Sequence, residues 1–234
     1  MTPFPDSPRL SRDVRQRDLV PPARLAECHA LVIGVGAIGR QVALQLAAMG
    51  MPQLTLVDDD TVAIENLAPQ GYWQEDLDLL KVAATTAVCQ RIHPGIRISR
   101  MPQRFKRSCV RELPVEQHLV VFACVDSIQA RRLIWESVRP EAAFFVDGRM
   151  SAEVIRVLSA PAPARDSYYD TTMFEPQQAY AGSCTAKSTI YTASIAAGLM
   201  LGQFTRWLRG LPVDTDLTLN LLSSELTVAN PSVQ

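Results

Sequence analysis

A strand, a glycine turn, a helix and a second strand follow one another without interruption over residues 30–60. An apolar run that ends at Ile33 leads into the turn Gly-Val-Gly-Ala-Ile-Gly at 34–39, and a second apolar run ends in Asp58. The glycines allow a tight turn and a close approach of the backbone to a phosphate at the helix N-terminus. Asp58 stands where a carboxylate would meet ribose hydroxyls. The unit predicts a nucleotide site but leaves NAD, FAD and ATP open.

Length, charge and cysteine content limit the class of protein. A chain of 234 residues can bury the core of one domain, and a net charge of −1 gives no general attraction to nucleic acid. The five cysteines form no CxxC pair, which predicts a reduced, cytoplasmic protein without a cysteine zinc site. Residues 1–28 are rich in arginine and proline and lack the apolar core of a secretion signal. We expect an arm and a short helix there, followed by a single domain over 29–234.

The apolar segment 189–208 has the length of a membrane span. It contains polar side chains throughout, among them Thr192, Ser194 and Gln203, and no other part of the chain suits a membrane. Glycines at 198 and 202 would give a helix a face of small residues for packing. We therefore predict a buried helix and no membrane partner.

Apolar runs and helix-period segments alternate along the rest of the chain. Predicted helices cover residues 78–92 and 127–138, and predicted strands cover 96–101, 119–124, 144–147 and 154–158. Residues 160–183 have no period, and we expect a long crossover loop there. Alternating runs at 216–222 and 225–228 predict a C-terminal antiparallel hairpin. The pattern predicts an α/β fold with a doubly wound, mostly parallel, Rossmann-like sheet.

Polar residues follow the strand ends of this predicted sheet. They are the segment DDDTVAIENLAPQ at 58–70, Lys81 at the start of a helix, and Asp126 at the end of the next central strand. Together with the glycine turn they resemble the ThiF/MoeB/HesA family of ubiquitin-activating-enzyme-like adenylyltransferases, whose pattern is D-x-D-x-V-x-x-x-N-L-x-R-Q, a lysine, and D-x-x-x-x-R. The resemblance spans roughly residues 12–210. The segments NLAPQGY and SCTAKS are similar to those of ThiF-like proteins from bacterial operons for ubiquitin-like proteins, including the PRTRC type.

The resemblance implies an ATP site and a magnesium ion. The nucleotide-binding residues that it implies are Gly34, Gly36, Gly39, Asp58, Asp60, Asn66 and Lys81. Asp58 would bind the ribose, while Asn66 and Lys81 would meet phosphates. Asp126 would hold Mg²⁺, and Arg131 matches the arginine of the last motif. A lysine and a magnesium ion would together offset the charge of a triphosphate that a carboxylate attacks.

Three of these side chains have an ordinary structural alternative. Lys81, taken alone, is typical of an exposed helix lysine. Asp126 can equally cap the helix that begins at Ser127, because capping and metal binding need the same carboxylate at the same place. Asp60 can be a turn carboxylate.

One position departs from the pattern of the family. Pro69 stands where the family commonly has arginine, and proline can neither donate a hydrogen bond nor carry charge. Relatives use an arginine of the N-terminal arm, in some cases delivered across a dimer interface. Arg12 and Arg15 are therefore the candidates for a compensating phosphate contact, and their alternative is a solvated charged arm.

Cys184 ends the long loop, directly before the apolar helix and three residues before Lys187. A thiol near a helix N-terminus and a lysine ionises more easily, and its thiolate is the nucleophile. Family members that form a thioester have a cysteine at this kind of position, so the resemblance implies that Cys184 is catalytic. Its alternative is a small apolar residue that packs at the helix start. The cysteines expected to be structural are Cys28, Cys89, Cys109 and Cys124.

The activity that the resemblance implies is ATP-dependent adenylation of the C-terminal carboxylate of a ubiquitin-like or sulfur-carrier protein that ends in glycine. Cys184 would then accept the acyl group as a thioester, with residues 160–183 over the tail of the partner. A homodimer and a conjugating-enzyme-like partner are further expectations.

Three alternatives stay open. The first is a nicotinamide oxidoreductase, which only the glycine turn and Asp58 favour. The second is an adenylating enzyme for a small-molecule or tRNA carboxylate, which the lack of a basic run disfavours. The third is a non-catalytic partner subunit, which Pro69 favours and which Lys81 and Asp126 disfavour.

Overall fold

A computed structural model describes residues 12–113, 117–173 and 188–229. In these residues one eight-stranded sheet carries helices on both faces. The strands are β1 (Cys28–Ile33), β2 (Gln53–Val57), β3 (Arg97–Met101), β4 (His118–Ala123), β5 (Ala142–Ser151), β6 (Val154–Ala160), β7 (Asp216–Asn220) and β8 (Glu225–Ala229). The helices are α1 (Pro22–Ala26), α2 (Ala37–Met49), α3 (Ile64–Gln70), α4 (Lys81–Ile92), α5 (Arg107–Arg111), α6 (Ile128–Val138), α7 (Tyr168–Thr171) and α8 (Ile190–Leu208), with 3₁₀ turns at Gln74–Asp76 and Pro163–Arg165.

The strands follow the order β3-β2-β1-β4-β5-β6-β7-β8 across the sheet. The first five are parallel, and β6, β7 and β8 extend one edge as antiparallel strands. Every residue of β1 is buried, because this central strand is covered on both faces, and apart from His29 its residues are correspondingly apolar. The arrangement confirms the predicted doubly wound, mostly parallel sheet with a C-terminal antiparallel hairpin.

Alternate residues of β1 enter two separate cores. Ala30 and Val32 pack in the core that contains α2 and α8, whereas Leu31 and Ile33 pack in the core that contains α6. The helix after β1 therefore covers one face of the sheet, and the helix after β4 covers the other. Because the chain leaves these neighbouring strands in opposite directions, a crevice opens at their carboxyl ends, where α/β sheets of this kind bind ligands.

The ends of three neighbouring strands are level with one another. Ile33 of β1 is in register with Val57 of β2 and with Ala123 of β4. Gly34, Asp58 and the residue after Ala123 therefore begin three adjacent loops at one edge of the sheet. The polar segments identified in the sequence meet at this edge.

Two elements next to this edge differ from the sequence-based prediction. Helix α4 begins at Lys81 rather than at residue 78, because Asp78 has φ of +63° and its N–H donates to the carbonyl of Val62 at 3.0 Å. Residues 64–70, which the pattern left unassigned, form α3. Its first turn is capped by Asn66, whose Oδ1 accepts from the N–H of Ala63 at 3.0 Å.

The crossover loop is described as far as residue 173, and the structure adds a 3₁₀ turn and the short helix α7 to the predicted irregular chain. Helix α7 is held against α6 by Asp170, which accepts from Trp135 Nε1 at 2.9 Å and from Arg139 Nη1 at 3.0 Å. The rest of the loop lies outside the described residues.

Helix α8 packs inside the protein. Nine of its 19 residues are buried, and it lies against α2, β5 and β6. Thr189 caps its first turn by accepting from the N–H of Thr192 at 3.4 Å. Within the described residues no helix has the length and apolar character that crossing a membrane requires. The prediction of a buried helix over 189–208 is confirmed.

Candidate active site

Two glycines of the turn after β1 are required by the fold itself. Gly34 has φ of +84°, and a Cβ there would lie 2.8 Å from the carbonyl oxygen of Cys124. A Cβ on Gly39 would lie 1.8 Å from the carbonyl oxygen of Gly34. The glycines at these positions therefore let the turn close on itself and lie against the end of β4.

Gly36 has no such internal reason to be a glycine. Its φ is −80°, which other residues adopt, and the nearest described atom to a Cβ built there is Gln70 Oε1 at 4.0 Å. Gly36 is also the N-cap of α2, where backbone N–H groups lack partners within the helix. Its backbone is open on the side of the crevice, as the binding of a phosphate by helix N–H groups requires.

Asp58 joins the glycine turn to the loop after β2. Its Oδ2 accepts from the N–H of Val35 at 2.6 Å, and its Oδ1 accepts from the N–H of Asp60 at 2.9 Å. Burial raises the pKa of this carboxyl above its usual value, and these two backbone hydrogen bonds oppose that shift. Each carboxylate oxygen keeps a second lone pair that can accept a hydrogen bond. Asp58 could therefore also accept from ribose hydroxyls, as the sequence predicts.

Lys81 enters the same edge from the first turn of α4. Its Nζ donates to Asp60 Oδ2 at 2.7 Å, and its N–H donates to the carbonyl of Asp60 at 3.0 Å. The lysine side chain is 7% exposed, whereas that of Asp60 is 63% exposed. The structure thus contradicts the alternative of an exposed helix lysine.

Three carboxylates crowd the loop after β2. Oxygen atoms of Asp58, Asp59 and Asp60 all lie within 4.8 Å of one another, and no other group of three potential metal ligands is found among residues 12–113, 117–173 and 188–229. Asp59 pairs with the exposed Arg104 at 3.0 Å. Asp60 is thus a turn carboxylate that also binds Lys81.

Asp126 lies three residues beyond the end of β4 and is exposed. Ser127, and not Asp126, caps α6, since its Oγ accepts from the N–H of Ala130 at 3.1 Å. The capping alternative for Asp126 is therefore wrong, and its exposed carboxylate is not used to cap α6.

Arg131 is held in a buried ion pair whose carboxylate, Asp147, is in register with the last residue of β4. It is buried and donates to Asp147 Oδ1 at 2.5 Å and to the carbonyl of Gly148 at 3.3 Å. Asp147, which is fully buried, also accepts from Arg149 Nε at 2.7 Å and from the hydroxyl of Tyr169 at 2.9 Å. The motif arginine thus stabilises a buried ionic network that ties α6 and α7 to β5.

Arg12 of the arm lies far from the glycine turn of its own chain. Its Nη2 donates to the carbonyls of Ala47 and Ala48 at 3.2 and 3.1 Å, at the C-terminal end of α2. At the rise of an α-helix, Ala47 lies about 17 Å from Gly36. Arg15 is exposed. A phosphate contact by either one stays a prediction that requires delivery across a dimer interface.

Two side chains beside the turn escaped the sequence analysis. Tyr72 is buried, and its hydroxyl donates to the carbonyl of Val35 at 2.7 Å. Arg40, in the first turn of α2, is 3% exposed and lies over the ring of Tyr72 with its guanidinium carbon 4.6 Å from the ring centroid. A charged residue directly after the last glycine of the turn was the available signal.

The four described cysteines are suited to packing rather than to nucleophilic chemistry. Cys28, Cys89 and Cys109 are fully buried, and Cys124 is half-buried. Burial raises the pKa of Cys28 and of Cys89 to about 12, so their thiolates are disfavoured at neutral pH. Cys184 lies outside the described residues.

Comparison with known proteins identifies the family. The family model described as ThiF family matches residues 11–232. The chain belongs to the ThiF family. Over the 112 residues that align, this ThiF-family chain is 31% identical to the sulfur carrier protein ThiS adenylyltransferase of Escherichia coli, covering 47% of the chain and 44% of that relative. It is 29% identical over 143 residues to the SAMP-activating enzyme E1 of Haloferax volcanii, covering 60% of the chain and 53% of that relative.

The ThiF-family chain spans about half the length of these curated relatives. The solved structure of E. coli MccB with ATP is similar to it over 97% of the chain and 73% of the MccB chain, with a TM-score of 0.71 and 14% identity. At that identity the likeness shows a shared fold. The fold and family expected from the sequence are confirmed.

Proposed function

We propose that this protein uses ATP to adenylate the C-terminal carboxylate of a small sulfur-carrier or ubiquitin-like protein. The observation that carries the proposal is Gly36, a glycine at the N-terminus of α2 that crowding does not require, in the turn that follows β1 beside the strand end that bears Asp58. Membership of a family with relatives named as a ThiS adenylyltransferase and as an E1 activating enzyme supports the same reaction class.

In the proposed reaction a carboxylate oxygen of the carrier attacks the α-phosphorus of ATP. The new P–O bond forms as the bond to pyrophosphate breaks, which leaves an acyl-adenylate and free pyrophosphate. Asp58 would hold the ribose, and the N–H groups at Gly36 would hold phosphate oxygens. Lys81 would place positive charge beside the phosphates, where charge builds up in the transition state.

A magnesium ion would be held by Asp126 together with the phosphates. Carboxylates and phosphates are the oxygen ligands that Mg²⁺ prefers, and Asp126 is exposed and does not cap α6. Bound there, the ion would neutralise part of the triphosphate charge. Asn66 would contribute its amide Nδ2, since its Oδ1 already caps α3.

The second proposed step is transfer of the acyl group to Cys184. Its thiolate would attack the acyl carbon, and AMP would leave as the thioester forms. The Cys184→Ala variant should then still form the adenylate. On a denaturing gel it should show no covalent complex with the carrier of the kind that thiol reductant cleaves. A homodimer and a conjugating-enzyme-like acceptor belong to the same proposal.

Mass spectrometry of the carrier tests the first step. The protein is incubated with ATP, Mg²⁺ and either E. coli ThiS or a β-grasp protein encoded beside its own gene. The proposal predicts an adenylyl mass added to the intact carrier and none added to a carrier that lacks its final glycine. An unmodified carrier in every case, with ATP bound, would contradict adenylation of a protein carboxylate.

A further inference from the structure

Arg40 is a buried cation that forms no close ion pair. Its guanidinium makes no salt bridge and no hydrogen bond with any described residue, and its Nε is fully buried without an acceptor. It lies against the face of the Tyr72 ring, and the buried carboxylate of Asp76 acts on it electrostatically from a greater distance. Burial lowers the pKa of the guanidinium below its usual value, and the attraction of Tyr72 and Asp76 offsets this only in part.

The guanidinium lies close to the proposed phosphate site. Arg40 is in the first turn of α2, and helix side chains lean towards the N-terminus of their helix, here towards Gly36. Its Nη1 lies 3.6 Å from the Cβ position of Gly71, while the preceding residue, Gln70, places its Oε1 4.0 Å from the Cβ position of Gly36. Residues 70 and 71 thus contact both the cation and the open glycine.

The surroundings are unfavourable for a cation unless an anion is present. A buried charge without a partner costs free energy, and a cation at the N-terminus of a helix opposes the helix dipole. The neighbouring Gln70 Oε1 is likewise buried without a donor. Two polar atoms without partners therefore flank the helix terminus that is open to a phosphate, and a bound anion would relieve the charge that Arg40 carries.

We infer that Arg40 is the positive charge that binds the phosphates of the nucleotide at the N-terminus of α2. The inference rests on the proposed function in that the anion is taken to be ATP. Arg40 would supply, within one chain, the positive charge that the uncharged Pro69 cannot supply. No arginine from a partner subunit would then be needed. Since the guanidinium is surrounded by protein, its charge acts on the phosphates through a medium of low polarity, where electrostatic attraction is strong.

Calorimetric titration with ATP and with adenosine tests the assignment. Arg40→Met keeps the apolar stem and removes the charge, and it should weaken ATP binding by about 10- to 100-fold while leaving adenosine binding unchanged. Arg40→Lys keeps the charge and should retain most of the affinity for ATP. The matched control is Arg91→Met, because Arg91 lies over Trp73 as Arg40 lies over Tyr72 but is exposed; its ATP affinity should equal that of wild type.

Thermal melting of the unliganded variants separates ligand binding from a structural role. A charge kept for a ligand is unfavourable without it, so Arg40→Met should melt no lower than wild type. Unchanged ATP affinity in Arg40→Met, an equal loss for adenosine, or a variant too unstable to fold would each overturn the inference. Wild-type protein that binds no ATP would instead overturn the proposed function, and the inference with it.

Discussion

The Nζ atom of Lys81 lies 2.7 Å from Oδ2 of Asp60, and this ion pair joins an almost fully buried cation to an exposed carboxylate. Lysine is rarely buried unless it is paired, so the exposed Asp60 holds Lys81 at the edge where β1 and β2 end. Two further Nζ donors remain. The pair thus fixes the lysine near Asp58, on whose carboxyl it acts electrostatically.

Lys81→Ala should lower carrier-dependent exchange of pyrophosphate into ATP by about 100-fold, because the transition state loses a neighbouring positive charge. The matched control is Lys106→Ala, since Lys106 is exposed beside α5, and its exchange rate should equal that of wild type. Equal rates in the Lys81 and Lys106 variants would remove Lys81 from the site.

Gly36→Ala should fold normally and bind ATP at least about tenfold more weakly. A methyl group has space there in the free protein, with the nearest described atom 4.0 Å away, but it would occupy the surface against which a phosphate packs. Gly39→Ala is the contrasting variant, because its Cβ would lie 1.8 Å from a backbone oxygen, and it should be strongly destabilised. Melting curves and ATP titrations of both variants check the pair, and normal ATP affinity in Gly36→Ala would contradict the phosphate site.

Removal of the buried carboxylate at Asp147 should destabilise the protein by about 3–5 kcal/mol, because Asp147→Ala leaves Arg131 and Arg149 without their anion. Glu136→Ala breaks the exposed pair with Arg107 and should cost at most about 1 kcal/mol. Urea unfolding of both variants measures the difference. Similar losses of unfolding free energy in the two variants would mean that the buried network stabilises the protein no more than a surface ion pair does.

Stability should fall as the pH drops below about 6.5 through His29. This histidine is 3% exposed, its Nε2 lies 2.8 Å from Thr55 Oγ1, and burial lowers its pKa from 6.5. Between the lowered pKa and about 6.5 the unfolded chain binds more protons than the folded one, so the free energy of unfolding rises with pH across that interval. His29→Gln should flatten the dependence, and His118→Gln, at the exposed first residue of β4, is the control; identical slopes in all three proteins would assign the dependence elsewhere.

The sequence predicted the positions, though not the tested roles, of the candidate site residues that follow strand ends. Gly34, Asp58 and Asp126 each follow an apolar run, and the carboxyl ends of parallel strands lie at one edge of a sheet. Their proximity thus follows from periodicity alone. The same argument located Lys81 at a helix start but not its burial, because burial depends on the packing of α4 against α2.

The side-chain pairings could not be predicted in the same way. Arg131 of α6 matched a family motif, yet its partner is Asp147, on strand β5 and 16 residues away, and no periodic pattern encodes a contact between elements. Ser127 rather than Asp126 caps α6 because a single residue of register decides which side chain reaches the free N–H groups. The sequence could not single out Arg40, because the feature that distinguishes it is a buried Nε without a hydrogen-bond acceptor among the described residues.

The most direct test of carboxylate adenylation is ATP–pyrophosphate exchange with a carrier that ends in glycine. Radioactive pyrophosphate is incubated with the protein, ATP, Mg²⁺ and the carrier, and label in ATP is counted. The account predicts exchange that requires the carrier, stops when the final glycine is removed or amidated, and persists in Cys184→Ala, because adenylation precedes thioester formation. Exchange that is absent with the intact carrier, or unaffected by amidation of its final glycine, would contradict it.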